Sequence, residues 1–226
     1  MGPMKRRELL AGLAASAAIA EGCKAQENEA RFTGQVALPE PTLAGTVSLE
    51  DVLARRRSLR MFGPDPLPLA TVGQLLWAGQ GTTNPAGNRR TAPSAGALYP
   101  LELYAVTASE VMHYVPRGHR IETRAAPDLR PQLRALALEQ VAVGTAPVVI
   151  VIAAEPGRLV QRYGDRADAY TTIEVGHAAQ NILLQAVARG LAAVPIAAVD
   201  GSRAARVLAL PQAQNVVYLI PVGTMA

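Results

Sequence analysis

The spacing of apolar and polar positions divides residues 48–226 into short helices and short strands. The clearest helix is predicted from Thr172 to Arg189, where apolar side chains recur at i, i+3, i+4 and i+7 and Gly190 follows as a stop signal. The run from Val148 to Ala153 is continuously apolar and of strand length, which predicts a strand buried on both faces. The mixture of the two patterns predicts an α+β fold with the long helix in its core.

Weaker signals predict the other elements of this region. Ser48 stands three residues before Asp51, the spacing of a capping box, and begins a helix that leads into a basic cluster. Pro68 begins a second helix, which Gly79 and Gly81 end. The remaining predictions are a hairpin over 101–106 and 111–115, a helix around 129–137, a strand over 194–196, a helix over 202–210 and a last strand over 216–222.

The N-terminus has the pattern of an export signal. Lys5, Arg6 and Arg7 precede an apolar run over 9–19, and a small-x-small cleavage pattern ends at Ala20. The run is too short for the ~30 Å hydrocarbon core at ~1.5 Å per residue, so we expect no transmembrane span. Residues 1–20 are therefore predicted to be a signal peptide. The paired arginines favour the twin-arginine type, and an ordinary secretion signal is the alternative.

An exported protein is expected outside the cytoplasm, which in a bacterium with two membranes means the periplasm. Cys23 is a candidate lipid anchor, although cleavage after Ala20 fits the sequence better. Residues 21–47 contain prolines and glycines without apolar periodicity and are predicted to be a linker or an arm that wraps a partner.

Composition excludes several classes of chemistry. Only two of the 22 cationic residues are lysines, and none follows Lys24, so the body lacks a Walker A, Schiff-base or pyridoxal lysine. A single cysteine permits no intrachain disulfide and no cysteine-rich zinc site. The net charge of +4, scattered arginines and 4% aromatic content do not indicate nucleic acid binding.

Two segments are candidates for ligand binding. Residues 55–60 place four guanidinium groups and the Ser58 hydroxyl close together, which suits a phosphate, and a solvated helix end is the alternative. Residues 91–100 are small and bounded by prolines, so their backbone could approach a flat ligand, unless they form only a tight turn. The histidines have no metal-ligand spacing, and no catalytic triad or carboxylate pair stands out. We therefore expect no metal, and any catalysis would need a bound cofactor.

Taken in order, these segments resemble the nitroreductase family of FMN-dependent oxidoreductases, most closely its SagB-type branch, the thiazoline and oxazoline dehydrogenases. The resemblance covers residues 48–223. It rests on RRSLRMF at 56–62, on TAPSAGALYP at 91–100, which resembles the branch signature, on EVGHAAQN at 174–181 and GLAAVPI at 190–196, and on PVG at 221–223.

The resemblance implies a three-layer sandwich, with a central mixed sheet flanked by helices, that forms a homodimer with FMN at the subunit interface. Arg56, Arg57 and Ser58 would hold the FMN phosphate, and Arg60 would reach the pyrimidine edge. From the other subunit, Pro93, Ser94, Ala95 and Gly96 would line the ring. The N5 edge would face Pro195, Ile196, Ala197 and Ala198 through their backbone, because Ala197 and Ala198 stand where many nitroreductases have Glu-Gly.

Arg60 and Tyr163 are the two candidate catalytic residues. Arg162 and Tyr163 occupy what resembles a Lys-Tyr pair of the ring-oxidising enzymes, and arginine is a poor base. The resulting expectation is an exported FMN-dependent oxidoreductase that transfers hydride through flavin N5, with NAD(P)H as a candidate electron donor. The substrate would be a small molecule or a peptide, and both ring oxidation and reduction of nitro compounds or quinones are open. The alternative is a flavin-binding or structural subunit of the same fold without turnover.

Overall fold

The computed structural model describes residues 32–84 and 88–226. The predicted signal peptide over 1–20, Cys23 and the first part of the predicted linker lie outside the described residues. Within the described ranges, no helix combines the length and the apolar character needed to cross a bilayer, and no cluster of three or more potential metal ligands is found.

Seven strands form one sheet in the order β1-β4-β3-β2-β5-β7-β6. Every pairing is antiparallel, so the expectation of a mixed sheet is wrong. The physical reason is that β2, β3 and β4 follow one another through tight turns, and β7 runs opposite to both of its neighbours. The strands are β1 (Gly34–Ala37), β2 (Leu101–Val106), β3 (Glu110–Val115), β4 (Arg120–Ala125), β5 (Val148–Ala154), β6 (Leu191–Ala193) and β7 (Asn215–Thr224).

Helices cover both faces of the sheet and complete the three layers. Two apolar clusters form the core, one on each face. The helices are α1 (Leu49–Arg55), α2 (Leu69–Gln80), α3 (Arg130–Leu136), α4 (Val141–Thr145), α5 (Gly157–Tyr163), α6 (Ala167–Ala188) and α7 (Gly201–Val207). The first cluster packs α2 and α6 on the sheet, and the second packs α3, α4 and α7 on the opposite face. All residues of β5 are buried, as the continuous apolar run predicted.

Local signals placed most elements correctly. The Ser48 side chain accepts a hydrogen bond from the Asp51 N–H, which confirms the predicted N-cap of α1. The strand predicted over 194–196 instead lies at 191–193, and only Ile196 forms an isolated bridge to Leu219. Pro221 interrupts the ladder between these two points: its carbonyl accepts the Val194 N–H at 3.3 Å, but proline has no N–H to donate back.

Part of the predicted linker belongs to the sheet. Residues 34–37 form edge strand β1, which pairs with β4, and Leu38 directly after it is 7% exposed and packs in the core. The sequence analysis predicted neither β1 nor β4. The sequence of β4 is RIETRA, in which Ile121 is the only buried residue, and β1 has no buried residue. Such half-exposed strands carry little apolar signal.

A polar cluster crosses the sheet on the face covered by α3, α4 and α7. His113 Nε2 lies 2.9 Å from a carboxylate oxygen of Glu102, and its Nδ1 lies 3.4 Å from Glu122. Arg158 donates to the other oxygen of Glu102 at 2.6 Å. Burial opposes the charged forms of both His113 and Glu102, but their hydrogen bond and the nearby opposite charges leave the pKa of His113 raised and that of Glu102 lowered.

These directions predict how His113 contributes to stability as pH changes. A raised histidine pKa gives a contribution that is fully present below the ordinary value of 6.5 and is lost as pH rises through the folded-state pKa. The lowered Glu102 pKa sets the acid limit, since its contribution is present above 4.5 and lost as pH falls. We expect His113→Gln to reduce the free energy of unfolding by about 1 to 2 kcal/mol at about pH 5.5 and by less at about pH 9. Urea denaturation at both pH values measures this, and an equal loss would contradict the ion pair.

Candidate functional site

The C-terminal exit of α1 carries cationic side chains that no carboxylate of the described residues neutralises. Arg57 Nη1 donates to the carbonyls of Ala54 and Arg56 at 2.9 and 2.8 Å and so caps the end of the helix. Arg60 donates to the Ser58 carbonyl at 3.4 Å. Arg55 is paired with Asp51 at 2.8 Å. Among the described residues, Arg56, Arg57 and Arg60 form no ion pair, which leaves a local excess of positive charge.

This exit borders a cavity of about 430 Å³ at the C-terminal end of α6. The Leu59 N–H donates to the Ala193 carbonyl at 3.0 Å and fixes the basic loop to β6. Farther along, Phe62 pairs with Met225 and the Gly63 N–H donates to the Thr224 carbonyl, so β7 closes the other side. The cavity is lined by Ala54, Arg55, Arg57, Leu59, Val187, Gly190, Leu191 and Met225.

The segment 195–198 continues from β6 and is open at its far end. Ile196 is buried and exchanges two hydrogen bonds of 2.9 Å with Leu219, which uses both of its backbone polar groups. Pro195 is half-buried, whereas Ala197 and Ala198 are exposed. The most exposed part of this segment is therefore the pair of alanines, which offers backbone groups and no functional side chain, and the Ala197 carbonyl already accepts the Val199 N–H at 2.9 Å.

The small-residue segment folds as a tight turn that α6 holds in place. Gly96, Ala97 and Tyr99 all have positive φ, at 61°, 55° and 48°. The Tyr99 N–H donates to Ser94 Oγ, and the Ala95 N–H donates to Glu174 Oε1, both at 2.8 Å. Positive φ is unfavourable for residues with a Cβ, so these hydrogen bonds stabilise a strained backbone. The turn presents Pro93 and Gly96 to solvent.

The predicted pair Arg162 and Tyr163 packs against this turn. A Cβ on Gly96 would lie 2.8 Å from Arg162 Nη1 and 2.9 Å from the Tyr163 hydroxyl oxygen. The Arg162 guanidinium lies 5.6 Å from the centre of the Tyr163 ring, which meets Tyr170 edge-on. Tyr163 and Arg60 are therefore in different places in one chain, the first at the turn and the second at the exit of α1.

Sequence reasoning missed Glu174, the residue of α6 that holds the turn. Its side chain is 3% exposed, and its Oε2 is buried with no hydrogen-bond partner among the described residues. Burial raises the pKa of this carboxyl, against the stabilising effect of the Ala95 N–H and the Ser94 hydroxyl. The sequence did contain a signal for this residue. Glu174 stands four residues before Ala178, which places a carboxyl group on the apolar face of the predicted helix.

The two halves of the predicted site line different cavities of one chain. Pro93, Ser94 and Ala95 border a cavity of about 270 Å³ with residues from the first part of α6. The arginine cavity lies instead at Val187 and beyond. Glu174 and Val187 are thirteen residues apart on α6, or about 20 Å along the helix axis.

Comparison with known proteins identifies the family. The profile of the Nitroreductase family matches residues 53–224. The chain belongs to the nitroreductase family. A nitroreductase-family protein of Methanocaldococcus jannaschii is 38% identical over 183 residues, which cover 78% of this chain and 91% of that protein. The crystal structure of a nitroreductase-family protein of Ralstonia eutropha superposes with a TM-score of 0.77 at 28% identity, covering 85% of this chain and 90% of that one.

Other solved structures share the fold at lower identity. The NADPH:FMN oxidoreductase of Vibrio harveyi, solved with NAD+, has a TM-score of 0.58 at 21% identity over 78% of this chain and 68% of that one. The microcin synthetase McbBCD complex of E. coli, with truncated pro-MccB17 bound, has a chain with a TM-score of 0.65 at 23% identity over 86% of this chain and 80% of that one.

The nitroreductase family is FMN-dependent, and the residues of this chain fit that cofactor. Three guanidiniums without a carboxylate partner among the described residues suit a phosphate, which arginine binds through paired hydrogen bonds. The turn over 93–96 offers a surface with little side-chain bulk, as a flat ring requires. The chemistry of the donor set therefore agrees with FMN, in two parts separated along α6.

The turn's geometry predicts a specific effect of Gly96→Ala. The added methyl group would clash with Arg162 and Tyr163 and would occupy a backbone with φ of 61°. We expect the substitution to destabilise the protein by roughly 1 to 3 kcal/mol. Gly157→Ala is the matched control, because its added methyl group would meet no described atom within 4 Å and its φ is not positive. Thermal denaturation of both variants measures the difference, and equal midpoints would contradict this description of the turn.

Proposed function

We propose that this nitroreductase-family protein is an FMN-dependent oxidoreductase of the SagB type that works as a homodimer. The observation that carries the proposal is the set of unneutralised guanidiniums of Arg56, Arg57 and Arg60 at the exit of α1, of which Arg57 lines the cavity at the end of α6. A phosphate there would supply the missing negative charge. The sequence TAPSAGALYP, which folds as the strained turn, is the reason for preferring the SagB type.

A homodimer would bring the two halves of the site together. In one chain the arginine cavity and the turn lie about 20 Å apart along α6. The resemblance assigns both halves to one FMN, so we infer that the turn over 93–96 comes from the second chain. Large apolar side chains exposed on α1 and α6, namely Leu49, Leu53 and Ile173, suit such an interface.

The proposed roles follow from the chemistry of each residue. Bound FMN supplies hydride transfer through its N5 atom. Arg56, Arg57 and Ser58 bind the phosphate, and Arg60 places positive charge at the pyrimidine edge, where it favours the reduced flavin. Ala197 and Ala198 offer only backbone groups to the N5 edge.

Of the two candidate catalytic residues, Tyr163 is the one that lies next to the turn. Arginine is a poor proton acceptor, whereas the phenolic hydroxyl of tyrosine can take part in proton transfer. Tyr163 would thus serve the dehydrogenation of a ring, with the Arg162 guanidinium as its neighbour, 5.6 Å from the ring centre.

The fold alone is compatible with two substrate classes. An NADPH:FMN oxidoreductase and a peptide-bound microcin synthetase complex share it at 21% and 23% identity. The turn sequence favours oxidation of a thiazoline or oxazoline ring in a peptide, and reduction of a nitro compound or quinone at the expense of NAD(P)H is the second candidate. A flavin-binding subunit without turnover is the non-enzyme alternative.

Anaerobic reduction of the FMN-loaded protein separates these functions. We expect a thiazoline-bearing peptide to bleach the flavin absorbance, with the matching thiazole peptide as a control that does not. Bleaching by NADPH or NADH alone would replace the SagB type by a donor-driven reductase. If dithionite bleaches the flavin and no other donor does, the protein is a binding subunit.

Export is a separate part of the proposal and rests on the sequence of residues 1–20 alone. The N-terminal mass of the protein isolated from its host tests it. A chain beginning at Glu21 is expected, a lipid on Cys23 would indicate a lipoprotein, and an intact Met1 would contradict export.

A further inference from the structure

Tyr99 is held in an unfavourable backbone conformation where the small-residue turn joins β2. Its φ is 48°, and it stands directly before Pro100, whose ring favours extended backbone at the preceding residue. The Tyr99 N–H donates to Ser94 Oγ at 2.8 Å, and the Tyr99 carbonyl accepts from Arg158 Nη1 at 2.9 Å. Side chains thus bond both of its backbone polar groups. The first of these contacts lies within the turn, whereas the second ties the turn to α5.

The Arg158 guanidinium joins three parts of the fold at this point. Besides the Tyr99 carbonyl, it contacts a carboxylate oxygen of Glu102 on β2 at 2.6 Å and one of Glu155 at 2.7 Å. The Glu155 N–H donates to the Pro100 carbonyl at 2.8 Å, so two consecutive carbonyls of the chain are bonded from the beginning of α5. Only 32% of the Arg158 side chain is exposed. Its contacts are therefore partly shielded from water, which strengthens them relative to a fully exposed ion pair.

Glu102 is fixed in turn by the neighbouring strand. One of its oxygens accepts from Arg158, and the other lies 2.9 Å from His113 Nε2. Its side chain is 16% exposed, so releasing Arg158 would leave a largely buried carboxylate with one partner fewer. These contacts keep the Arg158 guanidinium in a place from which it reaches the Tyr99 carbonyl.

We propose that Arg158 is a positioning residue that holds the turn in the shape required to receive the flavin ring. The inference rests on the proposed function, because the turn over 93–96 is the segment assigned to the ring of the FMN that the second chain binds. Without Arg158, Tyr99 loses one of the two bonds that oppose its strain, and the turn is competent for binding only part of the time. The affinity for the ring then falls by that fraction. The phosphate contacts lie elsewhere and keep their contribution.

Fluorescence titration of the purified full-length, flavin-free protein with riboflavin and FMN tests this role. Arg158→Met removes the charge and the donors at similar side-chain length, and we expect it to weaken the binding of both ligands about tenfold. The ratio of the two affinities, which reports on the phosphate alone, should stay that of the wild type. Arg158→Lys keeps the charge but lacks the guanidinium fork, and an intermediate loss is expected.

Arg130→Met is the matched control. Arg130 also donates to a backbone carbonyl, that of Ala146 at 2.7 Å, and also pairs with a carboxylate, that of Asp128 at 2.8 Å. It borders neither cavity of the proposed flavin site. We expect this variant to lose stability as Arg158→Met does and to bind both flavins as the wild type does.

Hydrogen exchange of residues 93–100 in the same flavin-free samples reports on the turn directly. We expect faster exchange in Arg158→Met than in Arg130→Met, together with weaker riboflavin binding. Unchanged exchange, or faster exchange with wild-type riboflavin affinity, would overturn the proposal. If Arg158→Met does not fold, Arg158→Lys decides by the same criteria.

Failure of the proposed function gives a different result. A wild type that binds neither flavin contradicts that function, and the exchange rates then still decide whether Arg158 holds the turn. A wild type that binds FMN, beside an Arg158→Met variant with unchanged riboflavin affinity, contradicts the positioning role alone.

Discussion

Replacing Arg56 and Arg57 together by alanine is expected to weaken FMN binding about 100-fold and to leave riboflavin binding unchanged. Each charge-assisted hydrogen bond to phosphate is worth roughly 1.5 to 3 kcal/mol, and the lower figure applies because Arg57 is exposed and Arg56 half-buried. Riboflavin lacks the phosphate, so its affinity reports on the ring alone. Fluorescence titration of the flavin-free protein with both ligands measures the ratio.

Two single variants serve as controls for this experiment. Arg55→Ala removes a neighbouring cation that is already paired with Asp51, and we expect it to change FMN affinity by less than about threefold. Arg60→Ala should mainly lower the flavin reduction potential, because it would remove positive charge from the edge that becomes negative on reduction. A double variant that weakens FMN and riboflavin equally would contradict the phosphate assignment.

Mixing two defective chains is expected to restore FMN binding. One chain carries Arg56→Ala with Arg57→Ala, and the other carries Gly96→Val, which fills the turn surface where a Cβ already meets Arg162 and Tyr163. If each site combines the arginines of one chain with the turn of the other, every mixed dimer has one intact site. Random mixing makes half of the dimers mixed, so about a quarter of all sites should recover wild-type affinity.

If mixing restores no FMN binding, each site is built within one chain. Sites built within one chain would always contain one defective half, and mixing would restore nothing. Each defective chain alone, refolded and mixed with itself, provides the baseline. A Gly96→Val chain that forms dimers with the wild type confirms that the variant still assembles.

Much of this fold could be predicted because the decisive residues lie on periodic, strongly buried elements. The continuous apolar run placed β5, and the i, i+3, i+4 pattern placed α6 to within a few residues at each end. Strand β1 at the sheet edge and its neighbour β4 could not be found in this way, because half-exposed strands alternate too weakly. The antiparallel pairings of β5 with β2 and β7 likewise join strands that are distant in the chain, and local patterns do not encode them.

The sequence could predict the candidate site only in the two segments whose amino-acid composition is unusual. The arginine cluster and the run of small residues stand out in the sequence, whereas their separation along α6 is a property of the tertiary structure. Glu174 was hidden because a single acid on an apolar helix face resembles an ordinary boundary residue. Its partner, the Ala95 N–H, lies 79 positions away in the chain, a contact that no local pattern indicates.

Native mass spectrometry of the purified protein tests the central claim most directly, since it counts chains and flavins in one particle. We expect a dimer with two FMN molecules that loses both when the dimer dissociates. A monomer that retains FMN, or a dimer that stays flavin-free after incubation with excess FMN, would contradict a cofactor held between arginines of one chain and the turn of its partner.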